Sequence, residues 1–383
     1  MKPRARLGPI GALCVALHAV SACDEGAARA TVDTPDSALR SRRVLATATP
    51  TVAGRIVVAG GLEDSHDPTS ARGDAEILDP FHGEGAGRVL PPTPLSGRIV
   101  AGRAGHAAVA LSGGRVLLVG GDLAGTVELF DPDLGPSGRF RPIGALPGGA
   151  RMASTATLLD DDLVLVTGGL TPARRACAFV SIVDVKHGTI EALAPLSEAR
   201  ASHTATRLVD GRVLVAGGVG RRSTELFDPA TRRFAPGPSL RHVRDDHRAT
   251  RLADGSVLVT GGQDARGRSR RTSERFVPGD DAFVSGPDLT SARADHAQVL
   301  LADGRVVLLG GEDDDGRNVD VVLDAVEAFD PDSSRFVPLA PLSMPRDDHA
   351  AVVLRDGRIC VVGGQTTGDR ALRAVEYYRP RPR

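Results

Sequence analysis

The chain has 383 residues, of which 41% are hydrophobic, 25% charged and 3% aromatic, and its formal net charge is −1. These are ordinary proportions for a globular protein. The near-neutral balance supplies no basic field for a phosphate backbone, so nucleic acid is excluded as the expected partner.

The first residues read as an export signal. Lys2, Arg4 and Arg6 form a basic start, and residues 7–20 are short and mostly apolar, too short for a stable membrane-spanning helix. The stretch ends Val20-Ser21-Ala22-Cys23. This resembles a bacterial lipobox, and the resemblance implies that Cys23 becomes the lipidated first residue of the mature chain. The expected layout is a signal peptide over 1–22, a lipidated tether over 23–29 and a folded domain over 30–383. Removing the three basic residues with the signal takes the formal charge from −1 to −4. The expected location is outside the inner membrane, anchored by lipid and facing the periplasm or the cell surface. Of the remaining cysteines, Cys177 and Cys360 fall in separate repeats, where two buried thiols are expected rather than a bridge.

From residue 43 onward the chain repeats one unit seven times. An arginine opens each unit at Arg43, Arg103, Arg151, Arg200, Arg244, Arg293 and Arg346. A Gly-Gly pair follows at residues 60, 120, 168, 217, 261, 310 and 363, so units begin every 44 to 60 residues. The cleanest copy, residues 200–240, contains four short apolar runs separated by Asp210-Gly211, Gly217-Gly218 and Asp228-Pro229. Asp-Gly between such runs signals a hairpin. Four strands make a sheet too small to stand alone, and repetition at this period buries both faces of each sheet against its neighbours. The predicted fold is all-β: a seven-bladed propeller with four antiparallel strands per blade. The last unit stops before a fourth strand. Pro35, Leu39 and Arg43 match Pro236, Leu240 and Arg244, so residues 30–39 are expected to supply the outer strand of blade 7 and close the ring.

Double glycine, then Glu-x-[Phe/Tyr]-Asp-Pro, then a strand ending Pro-x-x-x-Leu, resembles kelch repeats over about residues 30–380. The form with Arg-x-x-His at the start of each unit resembles bacterial members. The resemblance implies the fold and leaves the activity open, because propellers host both enzymes and passive binders.

In an up-and-down blade the Arg openings and the loops after each double glycine share one face. Variable loops on one face of a rigid scaffold are the usual place for function. The blade 5 insertion (263–273) carries Arg266, Arg268, Arg270 and Arg271, and the blade 6 insertion (312–326) carries Glu312, Asp313, Asp314 and Asp315. These residues, with the opening arginines Arg103, Arg200, Arg244, Arg293 and Arg346, form the candidate ligand- or partner-binding face. The two charged loops could equally pair with each other. Acids also gather at the openings of blades 5 to 7, as Asp245, Asp246, Asp295, Asp347 and Asp348. Residues 313–320 loosely suggest a calcium loop but lack EF-hand spacing. No metal or other cofactor is otherwise expected.

His106, His203, His247, His296 and His349 recur at one repeat position, where a structural role between blades is expected. The third-strand acids Glu76, Glu128, Glu225, Glu274, Glu327 and Glu376 are expected to pair with the opening arginines. Kelch-fold radical copper oxidases need two tyrosine ligands, and here Tyr377 and Tyr378 are neighbours that alternate sides on one strand. The expected function is a non-catalytic, monomeric, envelope-anchored scaffold that presents its loop-rich face to a protein partner. The alternative is a carbohydrate-active enzyme, mutarotase- or epimerase-like, working with channel arginines and carboxylates.

Overall fold

The computed structural model describes residues 38–51, 54–81, 93–94, 99, 101–135, 137–316 and 320–381. In blade 4, Thr204–Arg207, Val213–Ala216, Thr224–Asp228 and Arg233–Gly237 pair antiparallel in chain order. The same up-and-down order recurs in the other blades, giving six four-stranded sheets and a seventh with three described strands.

The second strands explain why the sheets stack. Ile56–Ala59, Val116–Val119, Val213–Ala216, Val257–Thr260, Val306–Leu309 and Ile359–Val362 are rich in β-branched residues and Leu, and every residue in them is buried. The core lies between blades. Leu117 and Val119 of blade 2 pack with Val164 and Val166 of blade 3, and Val307 and Leu309 of blade 6 with Ile359 and Val361 of blade 7. Each such side chain contributes about 1.5–3 kcal/mol on burial. Towards the outside, Phe130–Phe140, Phe227–Phe234, Phe276–Phe283 and Phe329–Phe336 stack as tilted pairs with ring centroids 4.9–5.4 Å apart.

First strands of neighbouring blades lie side by side around a central channel, and Ala350–Val353 of blade 7 adjoins Thr47–Pro50 of blade 1. Ala38 bridges Ala374 antiparallel, and the Leu39 N–H donates to the Arg373 carbonyl at 2.8 Å, as Leu240 does to Arg222 at 2.8 Å. Leu39 is fully buried among Val362, Val375 and Tyr377. The rest of the expected closing strand, the signal region and Cys23 lie outside the described residues. Among the described residues no helix is long and apolar enough to cross a membrane. Cys177 and Cys360 are free, buried thiols.

Candidate functional site

Each opening arginine folds back into its own blade. Its Nη1 donates to the carbonyl of the first glycine of the pair, 17 residues on, at 2.6–3.2 Å in blades 1, 2 and 4 to 7. In the same blades it pairs with the third-strand glutamate: Arg43–Glu76, Arg103–Glu128, Arg200–Glu225, Arg244–Glu274, Arg293–Glu327 and Arg346–Glu376. Blade 3 has Ser181 in place of the glutamate, so Arg151 bonds the Ser181 hydroxyl (3.2 Å) and the Pro147 carbonyl (2.9 Å). The arginine carbonyl points the other way. It accepts from the second glycine of the preceding blade at 2.7–2.9 Å in all seven junctions, including Gly364 to Arg43. A Cβ on the first glycine would stand 2.3–2.6 Å from that carbonyl, and both glycines hold positive φ, which is why the pair is invariably glycine.

This arrangement corrects one expectation. Arg103, Arg200, Arg244, Arg293 and Arg346 are fully buried, so their side chains offer no surface to a partner. A guanidinium with a carboxylate and two carbonyls in reach is satisfied inside the protein, and it ties strand to strand.

The five repeat histidines are also internal. Nε2 of His106, His203, His247 and His296 meets the hydroxyl of Thr47, Thr167, Thr204 and Thr260 respectively, each in the preceding blade, at 2.8–3.0 Å. Burial, reinforced by the neighbouring arginines, pushes all five below the usual imidazole range, His106 and His203 to about 3. They are neutral spacers between blades.

The position two residues after each opening arginine builds a different feature. Leu45, Gly105, Ala153, Ser202, Asp246, Asp295 and Asp348 all hold left-handed φ of 47–58°. Each N–H donates to the carbonyl of its counterpart in the preceding blade at 2.8–3.2 Å, so the seven form one closed hydrogen-bonded ring at the channel mouth. Left-handed φ costs a non-glycine residue about 1–2 kcal/mol, and the ring bond and neighbouring junctions hold it there.

The ring is uniform in backbone and lopsided in chemistry. Blades 1 to 4 contribute an apolar, small or hydroxyl side chain, and blades 5 to 7 contribute three carboxyls. Arg248 opens the inner strand of blade 5 in the register that Thr47, Thr155 and Thr204 occupy in blades 1, 3 and 4. The carboxyls are partly open to the channel, yet protein surrounds them closely enough to disfavour the charged form. Burial, then repulsion from Asp246, raises Asp348 to about 7 against the pull of Arg248. Asp295 is raised well above the usual carboxylate range by burial and by both Asp246 and Asp348, and Asp246 is raised by burial. Just outside the ring, burial and the same neighbours raise Glu312 to about 8 and Asp347 to about 9. Asp245 is raised to about 7 by burial and by Asp246. Sequence reading saw the acids but not their convergence, and it missed Arg248, whose only signal is the departure from threonine at that register.

The charged insertions meet each other through the backbone. Arg268 bridges Asp315, the Ser269 N–H donates to the Asp314 carbonyl (2.9 Å), and Gln263 Nε2 donates to Glu312 Oε1 (2.9 Å). Arg268 forms its ion pair with Asp264 of its own loop. Arg266, Arg268, Arg271 and Asp315 are exposed, Arg270 and Asp313 half-buried, and Asp314 buried with its Oδ1 accepting from the Gly316 N–H. Asp314 stands opposite Asp320 in a short hairpin, where burial and then repulsion from Asp314 raise Asp320 to about 6. Among the described residues no group of three or more histidine, cysteine or acid side chains could hold a metal ion, and residues 317–319 of the expected calcium loop lie outside the described residues.

No known family profile and no curated protein matches the chain. Solved structures do. A fungal alcohol oxidase of the AA5 family, in complex with copper, aligns with TM-score 0.73 at 17% identity, covering 90% of this chain and 75% of its own. The structure of YjhT aligns with TM-score 0.59 at 14% identity, covering 72% of this chain and 94% of its own. The residues here do not fit a copper site with tyrosine ligands. Tyr377 and Tyr378 lie in separate core clusters on opposite sides of one strand, and the Tyr378 hydroxyl donates to the Ala340 carbonyl at 2.8 Å. At these identities the likeness is one of fold: the chain is a seven-bladed kelch-type β-propeller.

Proposed function

We propose that this protein is a non-catalytic binding module that engages a protein partner through its loop-rich face. The observation carrying this reading is the division of labour around the channel mouth. Seven equivalent positions share one backbone geometry, and only blades 5 to 7 depart from apolar, small or hydroxyl side chains to carboxyls, beneath a loop pair that exposes Arg266, Arg268 and Arg271. Chemistry that breaks repeat symmetry serves something other than the repeat. Exposed Leu123, Val219 and Val321 in loops after the double glycines add apolar contact points to the same face. With Cys23 as a lipid anchor, the propeller would stand in the cell envelope close to the membrane.

The test is crosslinking capture from intact envelope, comparing wild type with the triple variant R266E/R268E/R271E. A discrete partner held by wild type and lost by the variant supports the reading. Capture of the same partner by both, or of none by either, contradicts it.

A second reading has one observation of its own. Asp348, raised to about 7 against the pull of Arg248, and Glu312, raised to about 8, suit general acid–base exchange with a sugar hemiacetal. Faster interconversion of sugar anomers in exchange NMR, abolished by Asp348→Asn, would favour it over passive binding.

A further inference from the structure

We propose that a basic strip on the loop-rich face, running from blade 4 to blade 5 outside the channel mouth, receives an acidic segment of the protein partner. The groups that grip it are Arg222, Arg241, Arg270 and Arg271. This deepens the docking reading and rests on it.

Hydrogen bonds lay the strip out. Blade 4 reads Arg221-Arg222-Ser223-Thr224-Glu225 and blade 5 reads Arg270-Arg271-Thr272-Ser273-Glu274, so one repeat position carries an arginine pair in two adjacent blades. The connection between those blades carries Arg241 and His242. Its ends lie against the first pair: the Leu240 N–H donates to the Arg222 carbonyl at 2.8 Å, and the Arg244 N–H to the Arg221 carbonyl at 3.2 Å. The second pair meets it too, because Arg270 Nε donates to the Val243 carbonyl at 2.9 Å. Arg222, Arg241, His242 and Arg271 are exposed, and Arg270 is half-buried.

The blade frame does not ask for these arginines. The bond from Leu240 to Arg222 recurs from Leu146 to Gly125, Leu196 to Ala178, Leu342 to Asp324 and Leu39 to Arg373. At that position and the one before it, those blades read Ala124-Gly125, Cys177-Ala178, Leu323-Asp324 and Leu372-Arg373. The paired arginines are therefore a departure confined to this sector of the matched blades.

Their charge is also left open. The neighbouring acids are already engaged: Glu225 with Arg200, Glu274 with Arg244 and the N–H groups of Arg241 and His242, and Glu198 with Arg221. Arg222, Arg241, Arg270 and Arg271 form no ion pair among the described residues, and exposed Asp288 pairs with none of them. Arg270 and Arg271 each spend only Nε, on the Val243 and Leu289 carbonyls at 2.9 Å. Those bonds fix each guanidinium and leave its two Nη groups for a carboxylate in two-pronged contact. Burial, then Arg270, holds His242 below the ordinary 6.5 even against the pull of Glu274, with Arg244 and Arg241 acting in the same sense as Arg270. Blade 6 turns acidic from Glu312 to Asp315. An extended anionic surface such as a bilayer would meet repulsion there, whereas a short acidic segment along blades 4 and 5 meets none.

The experiment is fluorescence anisotropy of the full chain with a fluorescein-labelled Asp/Glu octapeptide. The comparators are its Asn/Gln analogue, inorganic phosphate as competitor and phosphatidylglycerol vesicles. The expected result is saturable binding of the acidic peptide, weakening as salt rises, with no binding of the neutral analogue. R222Q/R241Q should weaken it at least about tenfold. R232Q/R233Q removes the same charge from a turn on the opposite face and should leave it unchanged. No saturable binding, equal binding of the neutral analogue, or preference for the vesicles or phosphate overturns the proposal. So does an equal loss in both double variants, or no loss in R222Q/R241Q when that variant keeps the wild-type melting curve. Absence of peptide binding with partner capture intact would remove this inference and leave the docking reading standing. Peptide binding lost in R222Q/R241Q, with no partner captured from the envelope, would remove the docking reading and leave the strip as a site for acidic peptides.

Discussion

Arg200 illustrates how one side chain holds a repeat together. It is fully buried, and it bonds the Gly217 carbonyl at 2.8 Å and Glu225 at 3.1 Å. The second oxygen of Glu225 accepts from the Ser197 N–H at 2.9 Å, so the pair pins the chain that enters the blade. Removing one partner strands a buried charge. Glu225→Ala should therefore cost about 3–5 kcal/mol in chemical denaturation, and a cost below about 1 kcal/mol would remove the pair from the account. The carboxyls of the mouth act in the opposite sense. Their folded-state pKa values lie above the ordinary 3.8 for aspartate and 4.5 for glutamate, so the folded chain holds more protons than the unfolded one, and stability falls as pH rises through the values near 7, 8 and 9. The histidines, depressed below 6.5, destabilise the fold only as pH drops below that value. Melting temperature should decline from pH 6.5 to 9. Asp295→Asn should flatten that decline, so a parallel decline in the variant would contradict the placement of Asp295.

At the scale of the element, the strands were legible because their signals are local. Asp-Gly turns, double glycines and Val/Leu runs fix where each strand begins and ends. The Arg–Glu pairs were legible because both partners recur at fixed positions in the repeat. The closed ring at the mouth was not, since its members are 44 to 60 residues apart and nothing local marks Leu45 or Ala153 for left-handed φ. The opening arginines were assigned to a face because their backbone lies there, while their side chains turn inward to reach the glycine carbonyl. His349 shows the same logic by exception. Neither of its ring nitrogens has a partner, and Ala297 stands where Thr47, Thr155 and Thr204 stand in other blades. Ala297→Thr should supply the missing hydroxyl and stabilise the protein by about 1 kcal/mol. A destabilised variant would show that blade 6 has no room for it.

At the scale of the molecule, the ring closes by the same bonds that join its inner junctions. Gly364 donates to the Arg43 carbonyl at 2.9 Å as Gly218 does to Arg244 at 2.8 Å, and the Arg40 N–H reaches Glu76 at 2.9 Å as Arg241 reaches Glu274 at 2.6 Å. The segment before blade 1 thus takes the path that the chain follows between other blades. Leu39→Ala should cost about 2–5 kcal/mol, comparable to Leu240→Ala, and a much smaller loss would mean that the closure carries less than an internal junction. A closed disc with constant turns on one side and varied loops on the other has one face suited to recognition. The most direct test places a photo-crosslinking residue at Arg266 on the loop-rich face or at Val209 in the opposite turn, and irradiates intact cells. A discrete adduct from position 266 and none from position 209 is the predicted result. An adduct from position 209 alone, or equally from both, would contradict the assignment of function to the channel-mouth face.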